Sequence, residues 1–258
     1  MTGSVEFDRA AEFYDQSRSI SDEAMARTMV LLVGELIGRG RVLEVGVGTG
    51  LVALRLHDAG VPVAGLDLSA LMLAKLVDKA NGRVPFPLAR ADATRMPFAD
   101  ASFGGAYLRW VLHLIPAWRG ALGEMVRVVR PGGVVLVNLG AYGGPREEIQ
   151  SRFAEIAGIS IQPVGLGWDD VEPLDDAMVS LGAQLRILPA VREERDESLE
   201  EFLQGIEQNL YSWTWPLPED VRRRAVAELR PWAADRFGPP DAVHRQEFST
   251  VWRAYDLP

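Results

Sequence analysis

The strongest constraint on the fold of this chain is a glycine-rich turn that follows a short apolar run. The run Val42–Val45 has the β-branched character of a buried strand, and glycines then stand at every second position, at Gly46, Gly48 and Gly50. A helical pattern begins at Leu51. Glycine lets the backbone approach a ligand closely, and the first N–H groups of the following helix face the same ligand. The turn therefore predicts a nucleotide-type site between a strand and a helix.

The spacing of these glycines separates two classes of cofactor. A dinucleotide-binding fingerprint, G-x-G-x-x-G, needs its third glycine at position 51, where this chain has Leu51. The chain instead has G-x-G-x-G, preceded by Glu44. The spacing therefore disfavours a nicotinamide-dependent oxidoreductase.

Composition and charge exclude further classes. A length of 258 residues suits one large α/β domain, or one domain with an elaboration. The formal net charge of −9 disfavours a nucleic-acid partner, because phosphate backbones repel an acidic surface. The first residues are polar and acidic, and no window approaches the roughly 20 apolar residues of a membrane span. We therefore expect a cytoplasmic protein with no membrane span.

Metal binding is not expected either. The chain has no cysteine, so thiolate zinc sites are excluded. Its three histidines, His57, His113 and His244, are scattered and show no ligand spacing. We expect no metal site.

Apolar periodicity predicts strands that alternate with helices along the first half of the chain. The predicted strands cover residues 41–45, 61–66, 84–89, 103–108 and 134–139, and helices separate them. Ser21 is expected to cap a helix that runs to the stop at Gly38. Such alternation predicts right-handed βαβ units and a parallel sheet that is covered on both faces. Pro85 and Pro87 move the third strand to an edge of that sheet.

The second half of the chain has a different pattern. We expect helices at 146–157 and 174–181, a strand at 184–191, a long helical stretch at 198–237 broken at Pro216 and Pro218, and a closing strand at 248–255. A connection of this size between two strands is usually functional. It carries Tyr211, Trp213 and Trp215, which suit either a lid that contacts an apolar or aromatic substrate or an ordinary core.

Four further segments follow the glycine turn in a recognisable order. They are Gly65-Leu66-Asp67-Leu68-Ser69, the run from Ala91 to Phe103 with its D-A-x-x-x-P-F pattern, Leu108-Arg109-Trp110-Val111-Leu112-His113, and the run from Glu124 to Gly133 with its R-V-x-x-P-G-G pattern. Together these motifs resemble the small-molecule class I S-adenosylmethionine-dependent methyltransferases, the group that includes quinone-biosynthesis enzymes. The resemblance covers roughly residues 7–139.

The resemblance implies a fold and an activity. The fold is an α/β, Rossmann-like, doubly wound and mostly parallel seven-stranded sheet, with helices on both faces and a helical cap inserted before the last strand. The activity is methyl transfer from S-adenosylmethionine to an O, N or C atom of a small-molecule acceptor. A non-catalytic S-adenosylmethionine-binding or regulatory protein is the alternative. The expected organisation is N-terminal cap helices over 1–40, a cofactor-binding core over 41–197, a lid over 198–240 and the final strand over 241–258.

The resemblance also implies roles for the residues around the glycine turn. Gly46, Gly48 and Gly50 would let the methionine and ribose of the cofactor pass the backbone. Asp67, at the end of the second strand, would accept hydrogen bonds from the ribose hydroxyls, and Leu68, which follows it, is a further cofactor-binding candidate. A helix cap is the other interpretation of Asp67.

The next strand end is implied to recognise adenine. Asp92 would accept a hydrogen bond from the adenine amine, and the backbone N–H of Ala93 would donate to the ring. The other interpretation of Asp92 is an ordinary loop aspartate. Met72 suits either the adenine face or the core.

Further positions match the methionine end of the cofactor. Tyr14 and Arg18 match an N-terminal Y-D-x-x-R pattern, in which the aromatic ring covers the active site and the arginine pairs with the cofactor carboxylate. A solvated helix face is the alternative for both. Glu44 would orient the glycine loop or the cofactor amino group, and Arg109 is a further cofactor-binding candidate.

The acceptor is expected beyond the fourth strand, because ligands bind at the carboxyl ends of strands in open α/β sheets. Trp110 and His113 follow that strand as acceptor-binding candidates. His113 is also the best-placed general base. However, a sulfonium methyl is already activated, so alignment of the acceptor without a base stays open.

Overall fold

The computed structural model describes residues 4, 7, 8, 11, 14, 20–140 and 145–258. These described residues divide into two compact units. The first unit comprises Met1–Gly140, Val164–Val191 and Thr250–Pro258, and the second comprises Ala141–Pro163 and Arg192–Ser249.

The strands, in chain order, are β1 (Val42–Val45), β2 (Val63–Asp67), β3 (Leu88–Arg90), β4 (Phe103–Arg109), β5 (Val129–Asn138), β6 (Gln184–Ile187), β7 (Val191–Ser198), β8 (Val243–Thr250) and β9 (Arg253–Asp256). The helices are α1 (Asp22–Leu36), α2 (Ala53–Asp58), α3 (Ala70–Lys79), α4 (Trp118–Val128), α5 (Pro145–Ala157), α6 (Val171–Ser180), α7 (Leu199–Glu207) and α8 (Glu219–Phe237). Short 3₁₀ helices cover Leu112–Leu114 and Ser212–Thr214.

The first unit contains a seven-stranded sheet in the order β3-β2-β1-β4-β5-β9-β6. Strands β1 to β5 pair in parallel, and β9 is antiparallel to both β5 and β6. The predicted mostly parallel, seven-stranded fold is confirmed. The third strand lies at an edge, as its prolines predict, although it begins only at Leu88, after both of them.

Apolar side chains cover the two faces of this sheet. On one face, Leu43 and Val45 of β1 pack in a cluster with apolar residues of α4 and α6. On the other, Val42 packs in a cluster with residues of α1, α2 and α3. The alternation of side chains along β1 therefore places helices on both faces.

The helix starts follow local capping chemistry. The Ser21 side chain accepts a hydrogen bond from Ala24 N at 3.2 Å, so the predicted cap of α1 is confirmed. Of the N-terminal cap helices expected over 1–40, the part before Ile20 falls largely outside the described residues.

The second unit packs α5, α7 and α8 around a separate apolar cluster that includes Phe153, Phe202 and Leu229. Strands β7 and β8 form a two-stranded sheet.

Three predicted boundaries in the second half of the chain are wrong. The single strand predicted at 184–191 is two strands, β6 and β7, and the closing strand predicted at 248–255 is also two, β8 and β9. Each member of these pairs belongs to a different sheet. The first break in the helical stretch at 198–237 comes at Asn209, whose φ of 63° ends the helix before Pro216 is reached. Apolar periodicity does not reveal a change of sheet or a left-handed residue.

Candidate cofactor and acceptor site

The parallel strands place the predicted site residues at one edge of the sheet. Asp67 and Arg109 are the last residues of β2 and β4, the glycine turn follows β1, and Asp92 comes two residues after β3. The carboxyl ends of neighbouring parallel strands are the usual ligand-binding edge of such a sheet.

The glycine turn has the shape of a cradle. Gly46 has a φ of +72°, and a Cβ there would lie 2.5 Å from Val111 Cγ2, so this position requires glycine. Gly48 also has a positive φ, but a Cβ there would meet nothing within 4 Å. The space beside Gly46 is therefore filled by Val111, whereas the space beside Gly48 is empty. An open, side-chain-free backbone at Gly48 fits an extended ligand that crosses the turn.

The Asp67 carboxylate links the glycine turn to the start of α3. One carboxylate oxygen accepts from Gly48 N and the other from Ser69 N, each at 2.8 Å. Burial raises the pKa of Asp67, and these backbone hydrogen bonds oppose the rise. The cap of α3 is Ser69, whose hydroxyl accepts from Met72 N at 3.0 Å. A carboxylate has about four acceptor sites, so Asp67 can still accept from two hydroxyl groups.

Asp92 sits in a short turn. Its Oδ1 accepts from the N–H and the hydroxyl of Thr94, both at 2.8 Å, and its Oδ2 accepts from the Ser4 hydroxyl at 3.1 Å. Burial raises the pKa of Asp92, but these hydrogen bonds and nearby Arg95 outweigh it, so the pKa is lowered. Asp92 is therefore held as an ionised acceptor beside Ala93, which is buried.

The remaining candidates around the adenosine end have less distinctive surroundings. Met72 is buried. The Leu68 carbonyl accepts from Arg90 Nε at 3.0 Å. Tyr14 packs edge-on against Phe7, with ring centroids 6.1 Å apart. Arg18 lies outside the described residues.

Glu44 is buried beneath the glycine turn. Its Oε2 accepts from the Tyr107 hydroxyl at 2.9 Å, and Glu44 and Tyr107 are register partners in the parallel pair β1 and β4. Burial raises the pKa of Glu44 to about 8, opposed by Tyr107, by the charge of Arg109 and by the backbone N–H of Ala53. The sequence analysis missed Tyr107, which strand register would have placed beside Glu44.

On the acceptor side, Arg109 and Trp110 form a stacked pair. The buried Arg109 guanidinium lies 3.8 Å from the centroid of the Trp110 ring. Trp110 has a φ of +57°, a strained conformation for a bulky residue, and such strain clusters at functional sites. Its indole packs on Gly140, where a Cβ would lie only 2.5 Å from Trp110 Nε1.

His113 is held by a loop that the sequence analysis missed. It lies in the 3₁₀ helix after β4, and its carbonyl accepts from Gly165 N at 3.0 Å. A Cβ on Gly165 would lie 2.1 Å from the Leu112 carbonyl oxygen, so only glycine allows this approach. The loop brings the Trp168 ring to 6.1 Å from the His113 ring. This contact joins segments far apart in the chain, and no local pattern signals it.

The three aromatic residues of the predicted lid lie close together in the second unit. The rings of Tyr211 and Trp213 are stacked at 5.7 Å, and Trp213 also meets Phe153. Trp215 Nε1 donates to the Asn209 carbonyl at 3.1 Å. Tyr211 and Trp213 are half-buried against the apolar cluster of that unit.

Two kinds of feature are absent from the described residues, a metal cluster and a membrane-spanning helix. Within that part of the chain, no group of three His, Cys, Asp or Glu side chains is arranged to hold a metal ion. None of the helices described is both long and apolar enough to span a membrane.

Comparison with known proteins gives a consistent family. A family model described as a methyltransferase domain matches residues 43–137. The chain is 35% identical over 134 residues to demethylmenaquinone methyltransferase of Renibacterium salmoninarum, a match that covers 51% of this chain and 55% of that enzyme. It is 34% identical over 171 residues to the O-methyltransferase rstn1 of Aspergillus nomiae, covering 62% of this chain and 74% of that enzyme.

Solved structures with a similar fold include methyltransferases. A crystal structure from Bacillus halodurans C-125, assigned as a methyltransferase, superposes with a TM-score of 0.61 at 17% identity, covering 93% of this chain and 100% of that one. The match to the Renibacterium enzyme thus spans about half the length of each protein, whereas the fold matches almost throughout. The chain belongs to the class I S-adenosylmethionine-dependent methyltransferases.

Proposed function

We propose that this protein transfers a methyl group from S-adenosylmethionine to a small-molecule acceptor. The observation that carries the proposal is the contact between Gly48 N and Asp67 Oδ2, which couples an open glycine turn to a carboxylate at the next strand end. Asp92 extends this arrangement to the strand beyond. The family membership of the chain supports the same conclusion.

The glycine turn and the two neighbouring strand ends suit this cofactor. The open backbone at Gly48 would pass the methionine and ribose, Asp67 would accept from the ribose hydroxyls, and Asp92 with Ala93 would bind the adenine edge. Arg18 and Tyr14 remain proposed partners of the methionine end. When bound, the cofactor supplies a methyl group on a positively charged sulfur atom. The buried Glu44, two residues before Gly46, would orient that loop.

The acceptor is proposed to be a planar aromatic or otherwise apolar molecule. Trp110, His113 and Trp168 supply aromatic surface beyond the end of β4, and Arg109 adds a positive charge beside Trp110. Aromatic rings recognise planar apolar ligands and exclude water. The names of the demethylmenaquinone and O-methyltransferase relatives suit such an acceptor.

Catalysis is proposed to depend on alignment of the acceptor atom, with His113 as the proton acceptor when the nucleophile carries a proton. Alignment alone can supply several kcal/mol of rate enhancement. The stretch 198–237 is proposed to act as a lid, supported by its length and its three neighbouring aromatic residues. The cytoplasm remains the location expected from the sequence.

The proposal is tested in two stages. Calorimetry should detect binding of S-adenosylhomocysteine and no comparable binding of NAD, and tight binding of NAD alone would overturn it. Release of S-adenosylhomocysteine should then be measured against a panel of naphthoquinols, phenols and amines. Cofactor binding with no turnover on any acceptor class would favour the non-catalytic alternative.

A further inference from the structure

One arginine on a neighbouring helix donates several hydrogen bonds to the segment from Asp92 to Asp100. Arg127, near the end of α4, donates from Nη1 to the Phe98 carbonyl and to Asp100, at 2.8 and 2.7 Å. Its Nη2 donates to the Met96 carbonyl at 3.2 Å. One guanidinium therefore fixes three residues of a loop that has no regular secondary structure.

Glu124 completes this contact from one turn earlier on α4. Its two oxygens accept from Arg127 Nε and Nη2 at 2.7 and 2.8 Å, and its Oε2 also accepts from Met96 N at 2.7 Å. The backbone of Met96 is thus bound at both its N–H and its carbonyl, and the Met96 side chain is buried. A paired, planar guanidinium gives such a contact a fixed geometry.

The other end of the segment is fixed by the sheet. Ala91 N donates to the Asp67 carbonyl at 3.0 Å, and Arg95 N donates to the Asp92 carbonyl at 3.0 Å. Asp92 and Ala93 consequently lie on a short turn between two anchors, one at β2 and one at α4. The position of the Asp92 carboxylate depends on both anchors.

We propose that Arg127 and Glu124 are positioning residues that set the selectivity of the site for adenine over a 6-oxopurine. The inference rests on the proposed function, in which Asp92 accepts from the adenine amine. A 6-oxopurine places an oxygen acceptor where adenine has a donor, so it leaves the carboxylate facing a lone pair. Rejection of such a ligand requires that the carboxylate cannot move away. The two α4 residues supply that restraint through the backbone of Met96.

The test measures a ratio rather than a single affinity. Calorimetry gives dissociation constants for S-adenosylhomocysteine and S-inosylhomocysteine with the wild-type protein, Arg127→Ala, Glu124→Gln and the control Arg130→Ala. Arg130 is an exposed residue of the same R-V-x-x-P-G-G region and makes none of the contacts to the 96–100 loop. The wild type and the control should prefer the adenine ligand by about 10- to 100-fold. Arg127→Ala should lower this preference at least fivefold, and Glu124→Gln should lower it less.

The outcomes separate the inference from the function on which it rests. If both variants bind S-adenosylhomocysteine more weakly with an unchanged ratio, the two residues are merely structural and the inference is overturned. If the wild type binds neither ligand, the proposed function fails. Should Arg127→Ala not fold, Glu124→Gln decides, because glutamine can still accept from Met96 N while it loses the ion pair.

Discussion

Asp67 links local backbone geometry to ligand recognition. Because its two oxygens already accept from Gly48 N and Ser69 N, the same carboxylate shapes the cofactor turn and offers acceptors to a ribose. Asp67→Ala should therefore weaken binding of S-adenosylhomocysteine by roughly 1.5–3 kcal/mol, one to two decades in affinity. Calorimetry measures the change, and Asp78→Ala, an exposed aspartate on α3, is the control. An unchanged dissociation constant would contradict the ribose role.

Glu44 makes stability depend on pH. Its pKa is about 8 in the folded protein against 4.5 for the free side chain. As the pH rises from about 4.5 to about 8, the unfolded chain ionises at Glu44 while the folded protein still holds the proton, so this site progressively destabilises the fold. Above about pH 8 both states are ionised and the effect stays constant.

Glu44→Gln should remove this dependence, since a glutamine can still accept from the Tyr107 hydroxyl. The free energy of unfolding of the variant, minus that of the wild type, should increase by about 2–5 kcal/mol between pH 5 and pH 8. Urea denaturation across that range measures it, with the exposed Glu172→Gln as control. Parallel pH curves for the wild type and Glu44→Gln would show that Glu44 is ionised in the fold.

His113 distinguishes catalysis with a base from catalysis by alignment. As a general base it should contribute a factor of roughly 10² to 10⁴ to turnover, with little effect on cofactor affinity. His113→Ala is compared with His57→Ala, an exposed histidine on α2. Turnover of the alanine variant within a few-fold of wild type would leave alignment by Trp110 and its neighbours as the mechanism.

At the scale of elements, the loop around Gly165 packs against the residues that follow β4, although the two segments are about 50 residues apart in the chain. Trp168→Ala should raise the acceptor KM about tenfold, because it removes an aromatic ring worth roughly 0.5–1.5 kcal/mol beyond its buried area. The dissociation constant of S-adenosylhomocysteine should not change. Trp232→Ala is the matched control, a half-buried tryptophan that packs on Phe237 in the second unit. Equal effects of the two substitutions would mean that Trp168 acts only through stability.

The elements also show how far local patterns extend. Strands β1, β2 and β4 are predicted within one or two residues, because each is a short apolar run in a sheet that is buried on both faces. The pairs β6 with β7 and β8 with β9 are each predicted as one strand. The chain changes sheets between the members of each pair, at residues 188–190 and at residues 251–252.

For the whole molecule, the lid proposal concerns the stretch 198–237. Amide hydrogen exchange in this stretch should slow when an active acceptor is added to the complex with S-adenosylhomocysteine, since a closed lid opens less often. Exchange in α6, within the first unit, serves as the internal reference. If the exchange rate in 198–237 does not change when the acceptor is added, the lid proposal is wrong, and Trp213 and its neighbours serve only as core residues.

The sequence by itself determined the sheet class, the glycine turn and the placement of Asp67 and Asp92 at neighbouring strand ends. The glycine turn depends on backbone conformation, which leaves a local pattern. Each parallel strand also leaves one, because it is a short apolar run followed by a helix, and the rules for such βαβ units then place the strand ends at one edge. The tertiary structure decided which side chains meet across long separations. Examples are Tyr107 on Glu44, Trp168 beside His113, and Arg127 on the loop at Met96. Such contacts depend on how whole elements pack, and hydrophobic periodicity records only which face of an element is buried, not the partner it meets there.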